Sequence, residues 1–183
     1  MRIAKHCCLL LCLLISPSSG ALAQNDSDDP VSILDVDLRE PSAICRDRGT
    51  VVLVIAKRHV MALCEKDEAR AMFRVSLGTN GTGKTKQGDS KTPLGRYPLS
   101  RPRTSTSFSQ FIQVGYPTPS QVAQGFTGSG VGIHGPSRMA VTWSPLERVS
   151  DWTEGCIAVW SDGEIHEVAD WVAKKGRVDV VIE

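Results

Sequence analysis

Neither sign of charge is in excess in this chain. Its 183 residues hold 21 Lys and Arg against 20 Asp and Glu, a formal net charge of +1. The basic residues form no stripe and no polybasic patch, which argues against nucleic acid and against anionic lipid as partners. A long apolar run is missing too. Cys7 to Ile15 is the clearest one, nine residues, where a membrane helix needs about 20. The four histidines fall into no metal-ligand spacing. His166-Glu167 does not extend to H-E-x-x-H, because position 170 is Asp. No metal, no cofactor and no internal repeat are expected.

The first residues read as a targeting segment. Arg2 and Lys5 give a basic start, Cys7 to Ile15 an apolar core, and Ala21-Leu22-Ala23 a small-x-small cleavage site. Residues 1–23 are therefore expected to be a signal peptide, cleaved after Ala23, and the protein secreted or periplasmic with no stable membrane anchor. Residues 24–49 are expected to be an acidic linker or arm, since Asp26, Asp28, Asp29, Asp35, Asp37 and Glu40 leave little apolar content. Residues 50–183 remain as one domain of ordinary size.

Beyond the leader three cysteines remain, Cys45, Cys64 and Cys156. That is an odd number in an oxidising compartment. Cys45 and Cys64 flank an expected hairpin and are the natural pair, which leaves Cys156 as a free thiol. The alternative pairs Cys156 with one of the other two.

The domain reads as mainly β. Val51 to Ala56, Val60 to Glu65 and Ala71 to Gly78 are strand-like runs separated by polar turns. His59 falls in the first of these turns and is expected to be solvated. Tyr97 to Leu99, Phe111 to Tyr116, Gly130 to Ile133 and Cys156 to Trp160 read as further strands. Arg101 to Ser109 reads as a loop, and Ser120 to Gln124 as one helical turn capped by Ser120. Ser161-Asp162-Gly163-Glu164 is a capping-box start. Ile165, Val168 and Val172 then share one helical face, and Gly176 ends the helix. Val178 to Ile182 closes the chain as a strand. Gly78 to Thr85 matches the phosphate-loop pattern G-x-x-x-x-G-K-[ST]. A phosphate loop needs a helix after its Lys-Thr, and Gly88 and Pro93 break one here. The stretch is read instead as a mobile glycine loop at the mouth of a site, with no nucleotide bound.

The chemistry points to Cys156. Thr153-Glu154-Gly155 is a polar turn that delivers the sulfur into an apolar run. His134 ends an earlier strand. A thiol needs such a base to become a nucleophile. Gly155 can turn backbone N–H groups toward the place where an oxyanion would form.

Ile133-His134-Gly135 followed by Thr153-Glu154-Gly155-Cys156-Ile157 resembles the signature of the YkuD-type L,D-transpeptidases of bacterial cell walls. Thr92-Pro93-Leu94-Gly95-Arg96-Tyr97 is similar to that family's Thr-Pro-x-Gly-x-aromatic turn. The resemblance runs from about Thr50 to Glu183. It implies a YkuD-like β-sandwich or barrel-like domain with one clear helix after the active strand. It also implies covalent acyl transfer on peptidoglycan stem peptides through a thioester on Cys156, with His134 as base. Gly155 and Cys156 would supply the oxyanion N–H groups. A backbone carbonyl near Thr153 would orient His134, with Asp151 as the second choice.

Two positions depart from the pattern. Glu154 stands where the family has a second histidine, and Ala158 where it has an arginine. Arg96, Arg101 and Arg103 are candidates to meet a substrate carboxylate in that arginine's place, and Trp143 to wall a peptide groove. Loss of the arginine leaves two alternatives open. One is a carboxypeptidase or endopeptidase on the same scaffold, and the other a domain that binds wall peptides without turnover.

Overall fold

The computed structural model describes residues 41–138 and 150–183. A short helix α1 (Pro41–Cys45) leads into strand β1 (Val51–Ile55). A 3-10 turn at Ala56–Arg58 connects β1 to β2 (Val60–Glu65), and a tight turn connects β2 to β3 (Glu68–Ser76). His59 closes the first turn in the left-handed region, φ 51°. Lys66 and Asp67, with φ 52° and 66°, make the second. The long segment from Leu77 to Leu94 carries no named strand. Strands β4 (Gly95–Pro98), β5 (Arg103–Ser105) and β6 (Ser109–Gln113) follow, then helix α2 (Pro119–Ala123) and β7 (Gly132–His134). The chain ends with β8 (Ile157–Val159), helix α3 (Asp162–Lys175) and β9 (Asp179–Ile182).

The strands join in one mainly antiparallel sheet of order β4-β9-β1-β2-β3-β8-β7-β6-β5. Two pairings are parallel, β1 with β9 and β7 with β8. The sheet curls into a half-barrel. Leu99, just after β4, bridges Val114, just after β6, so the two ends of the sheet come together. Gly115 N–H donates to Pro98 O at 2.9 Å across that seam. The mainly β reading with one substantial helix is the fold observed.

The uninterrupted apolar run of β1 is explained by burial on both faces. Val52 and Val54 point into the main core with Met61, Leu63, Val180 and Ile182. Val51 and Leu53 point to a smaller cluster with Ala62 and the Cys45–Cys64 disulfide. Helix α3 is capped as its sequence predicts. Ser161 Oγ accepts from Glu164 N–H, and the Glu164 carboxylate accepts from Ser161 N–H. Its Ile165, Val168 and Val172 are buried in the main core.

Several expectations are corrected. Cys45 does pair with Cys64, but it lies in α1 rather than in an arm of the hairpin. The last part of the expected acidic arm is thus tied to the sheet, and residues 24–40 lie outside the described residues. The Arg101–Ser109 loop contains β5, because Thr104 finds a ladder partner in Gln110. Helix α2 is capped by Thr118, not Ser120. Thr118 Oγ1 accepts from Gln121 N–H, and the Gln121 side chain accepts from Thr118 N–H. His59 is not merely solvated, since its Nε2 lies 3.1 Å from both carboxylate oxygens of Asp151.

Candidate active site

The turn before Cys156 is built around Thr153, which is buried. Its backbone bridges the end of β3. Thr153 N–H donates to Leu77 O at 3.0 Å, and Thr79 N–H donates to Thr153 O at 2.9 Å. The Thr153 hydroxyl accepts from Gly155 N–H at 3.0 Å and donates to Cys156 O at 2.8 Å. One side chain therefore folds the turn back on itself and sets the direction in which β8 leaves. Gly155 has φ +124°, and a Cβ there would sit 2.4 Å from Lys91 O. Only glycine fits that conformation and that space. The expected oxyanion donor is corrected by the same geometry. Gly155 N–H is already bonded to Thr153 Oγ1, which leaves Cys156 N–H of the two donors that were expected.

His134 ends β7 and is almost wholly buried. The Phe108 ring stacks on the imidazole at 3.9 Å between centroids, Phe111 lies 6.1 Å away nearly parallel, and Trp152 meets it edge-on at 5.6 Å. Its Nδ1 lies 2.7 Å from Gly135 O. A carbonyl only accepts, so Nδ1 carries the proton and Nε2 keeps its lone pair. That is the tautomer a general base needs. The orienting carbonyl is Gly135's own, not one near Thr153. Asp151 is engaged elsewhere, accepting from Leu77 N–H at 2.7 Å and from His59. Burial depresses the His134 pKa to about 4, against the Gly135 hydrogen bond that raises it. The ring is neutral at pH 7.

Register brings His134 and Cys156 together. His134 pairs with Ala158 across the parallel β7–β8 ladder. Ile133, Ile157 and Val159 face the main core. Alternation along each strand then sends His134, Ala158 and Cys156 to the opposite face, with the histidine and the cysteine as diagonal neighbours. The approach of β6 to β7 depends on Gly132, where a Cβ would fall 2.2 Å from the Phe111 ring. Cys156 is a free thiol, partly exposed, and its Sγ–H points at Gly130 O, 3.6 Å away. Burial pushes the thiol pKa up, and the Glu154 charge adds to that. A hydrogen bond with the Gly132 backbone and the Lys84 charge pull it down. Both groups are therefore neutral at rest. The arrangement suits proton transfer from thiol to imidazole at the moment of attack, rather than a standing thiolate–imidazolium pair.

Cys156 opens on a cavity of about 200 Å³ shared with Lys84, Gln87, Gly128, Ser129 and Glu154. The glycine loop reaches this cavity as expected, but it is pinned. Asp89 holds it, accepting from Lys84 Nζ at 2.7 Å and from the N–H groups of Thr85, Lys86 and Lys91. Burial pushes the Asp89 carboxyl up, and these four donors outweigh it and hold the group well below the usual carboxylate range. No helix follows Lys84-Thr85.

Other candidates fall elsewhere. Arg96 projects from β4 and pairs with Asp179 at 3.1 Å, and it does not line the cavity. Arg103 covers the Phe111 ring at 4.7 Å, and Arg101 is exposed outside the cavity. Trp143 lies outside the described residues. Phe108, Trp152 and Lys84 escaped the sequence reading. A lysine embedded in a glycine and threonine loop with an aspartate five residues on was the one available sign of the last. Among the described residues no cluster of His, Cys, Asp and Glu is arranged to hold a metal ion. None of their helices is long and apolar enough to cross a membrane.

No curated protein matches this chain. Among solved structures it is similar to the helical cell shape determining protein Pgp2 of Campylobacter jejuni. The identity is 25%, the coverage 73% of this chain and 46% of that one, and the TM-score 0.59. It is also similar in fold to Bd1075 of Bdellovibrio bacteriovorus, at 22% identity, with 73% and 47% covered and a TM-score of 0.53. The chain thus spans about half the length of these structures. The sequence profile of the L,D-transpeptidase catalytic domain, YkuD, matches residues 48–180. With that match over most of its length, and a curled β sheet carrying His134 and Cys156 on adjacent strands, the chain belongs to the YkuD L,D-transpeptidase catalytic-domain family.

Proposed function

We propose that this domain carries out cysteine-dependent acyl transfer on peptidoglycan stem peptides. The observation that carries the reading is the His134 tautomer. With Nδ1–H held by Gly135 O, Nε2 is free to take the Cys156 proton. Cys156 Sγ attacks the carbonyl of the diamino residue that precedes a terminal D-amino acid in the stem, the position the family resemblance implies, and His134 takes the thiol proton. The oxyanion is held by the backbone N–H of Cys156. The C–N bond breaks, His134 returns the proton to the leaving amine, and a thioester remains. An amine from a second stem attacks it, gives a proton to His134 and regenerates the thiol. The family match supports the substrate class, and Pgp2, by its name a determinant of cell shape, agrees with a wall role.

A second outcome, hydrolysis, is favoured by one position. Ala158 is buried and pairs with His134 across the ladder, so no guanidinium stands there to clamp a carboxylate bidentately. Water resolving the thioester makes a carboxypeptidase. We place the protein outside the cytoplasm, with residues 1–23 as its leader and 24–49 preceding the catalytic domain. The Cys45–Cys64 disulfide supports an oxidising compartment.

The test incubates wild type and Cys156→Ala with disaccharide-tetrapeptides and weighs the products. A cross-linked dimer from wild type alone is the expected result. Tripeptide without dimer assigns hydrolysis. No product from a folded wild type overturns both and moves the domain to a binding role.

A further inference from the structure

Two ionisable side chains share the cavity wall with Cys156, and their situations differ. The Lys84 ammonium is buried and paired, donating to Asp89 Oδ1 at 2.7 Å and Lys86 O at 3.1 Å. Its charge is paired inside the protein, and it still acts on the thiol, pulling the Cys156 pKa down. Glu154 is exposed, and among the described residues nothing hydrogen-bonds or ion-pairs with its carboxylate. Among the described residues the unpaired charge on this wall is therefore negative. Gln87 and Ser129, also on the wall, are neutral and suit a peptide backbone, and Ala158 supplies no charge.

A negative wall next to the nucleophile has consequences for what docks. It repels a substrate carboxylate placed against it. It also works against the thiolate, the Glu154 charge raising the Cys156 pKa while the Lys84 charge, the larger of the two effects, lowers it. A bound cation removes both penalties, because it neutralises the carboxylate at the moment negative charge develops on sulfur and oxyanion. Glu154 is held two residues from the thiol by the Thr153-centred turn, so an ammonium paired with it sits beside the reacting carbonyl.

We propose that Glu154 is a specificity-determining residue that selects stem peptides bearing a free primary ammonium on the diamino residue whose carbonyl is attacked. The inference rests on the acyl-transfer reading for the identity of the peptide.

The experiment uses two synthetic tetrapeptides that differ only in that side-chain amine, free or N-acetylated. Binding to Cys156→Ala, with and without Glu154→Gln, is measured by calorimetry, and release of the terminal amino acid by wild type is measured beside it. Expected is about fivefold tighter binding of the free amine, the size of an exposed ion pair. The preference should vanish in Glu154→Gln and shrink with added salt. Equal binding of the two peptides, a preference that survives Glu154→Gln, or no binding of either overturns the inference. Preferential binding without release by wild type keeps it and sinks the acyl-transfer reading. Release without preference does the reverse.

Discussion

The Phe108 ring lies on the His134 imidazole, with centroids 3.9 Å and planes 25° apart. Stacking of this kind fixes the plane of the ring, and with Phe111 and Trp152 it excludes the water that would stabilise the imidazolium. Phe108 is thus a positioning residue for the proposed base. Phe108→Leu keeps an apolar filling and loses the flat face. Release of the terminal amino acid should fall about tenfold in kcat, within the span of general-base contributions. The acid limb of its pH profile should move up from about 4 toward the ordinary 6.5. Phe108→Tyr should restore both. A profile unchanged in Phe108→Leu would sink the positioning role.

The depressed His134 pKa makes stability depend on pH. Folded His134 titrates at about 4 and unfolded histidine near 6.5. Between those values the unfolded chain binds more protons, so stability rises with pH through that window and is lost as pH falls through it. The His134 share is at most about 3 kcal/mol. Urea unfolding at pH 7 and pH 4.5 should show the loss in wild type, and His134→Gln should lack that component.

Thr153 is expected to tolerate serine and not valine. Serine keeps the hydroxyl that links Gly155 N–H to Cys156 O. Valine leaves a buried donor and acceptor unpaired, at a cost of about 1–3 kcal/mol each. Thr153→Val should lower the melting temperature and abolish turnover, with Thr153→Ser near wild type in both. Thermal melts and the muropeptide assay check this.

The Cys45–Cys64 bond, 19 residues apart in sequence, should stabilise by about 3 kcal/mol through the loop it closes. A Cys45→Ala, Cys64→Ala double variant should melt lower. Its Cys156 should react with a thiol reagent at the wild-type rate, because the disulfide lies in the second apolar cluster, apart from the main core. A changed rate at Cys156 would show the two regions to be coupled.

What the amino-acid order determined is what local chemistry decides. The β-branched run of β1, the turn at Lys66-Asp67 and the Ser161–Glu164 cap of α3 are set by neighbours within a few residues. The sequence also marked Cys156 and His134, through the motif that carries the family. Two choices were missed nearby for equally local reasons. Thr118 took the cap expected of Ser120 because Gln121 completes its capping box. The short β5 needed its partner β6 before it was recognisable as a strand.

The rest was decided by contacts between distant parts of the chain. Arg96 stands seven positions after Asp89 of the glycine loop (96 − 89), yet strand pairing carries it to β9 and Asp179. Asp151 is spoken for by His59 and Leu77, 92 and 74 residues away, so Gly135 orients His134 instead. The glycine loop is held by one half-buried carboxylate, Asp89, whose donors converge only once the loop has closed. Burial then sets the protonation of His134 and Cys156. Desolvation depends on what packs around a group in three dimensions, and Phe108 and Trp152 reach the imidazole from segments before and after it in the sequence.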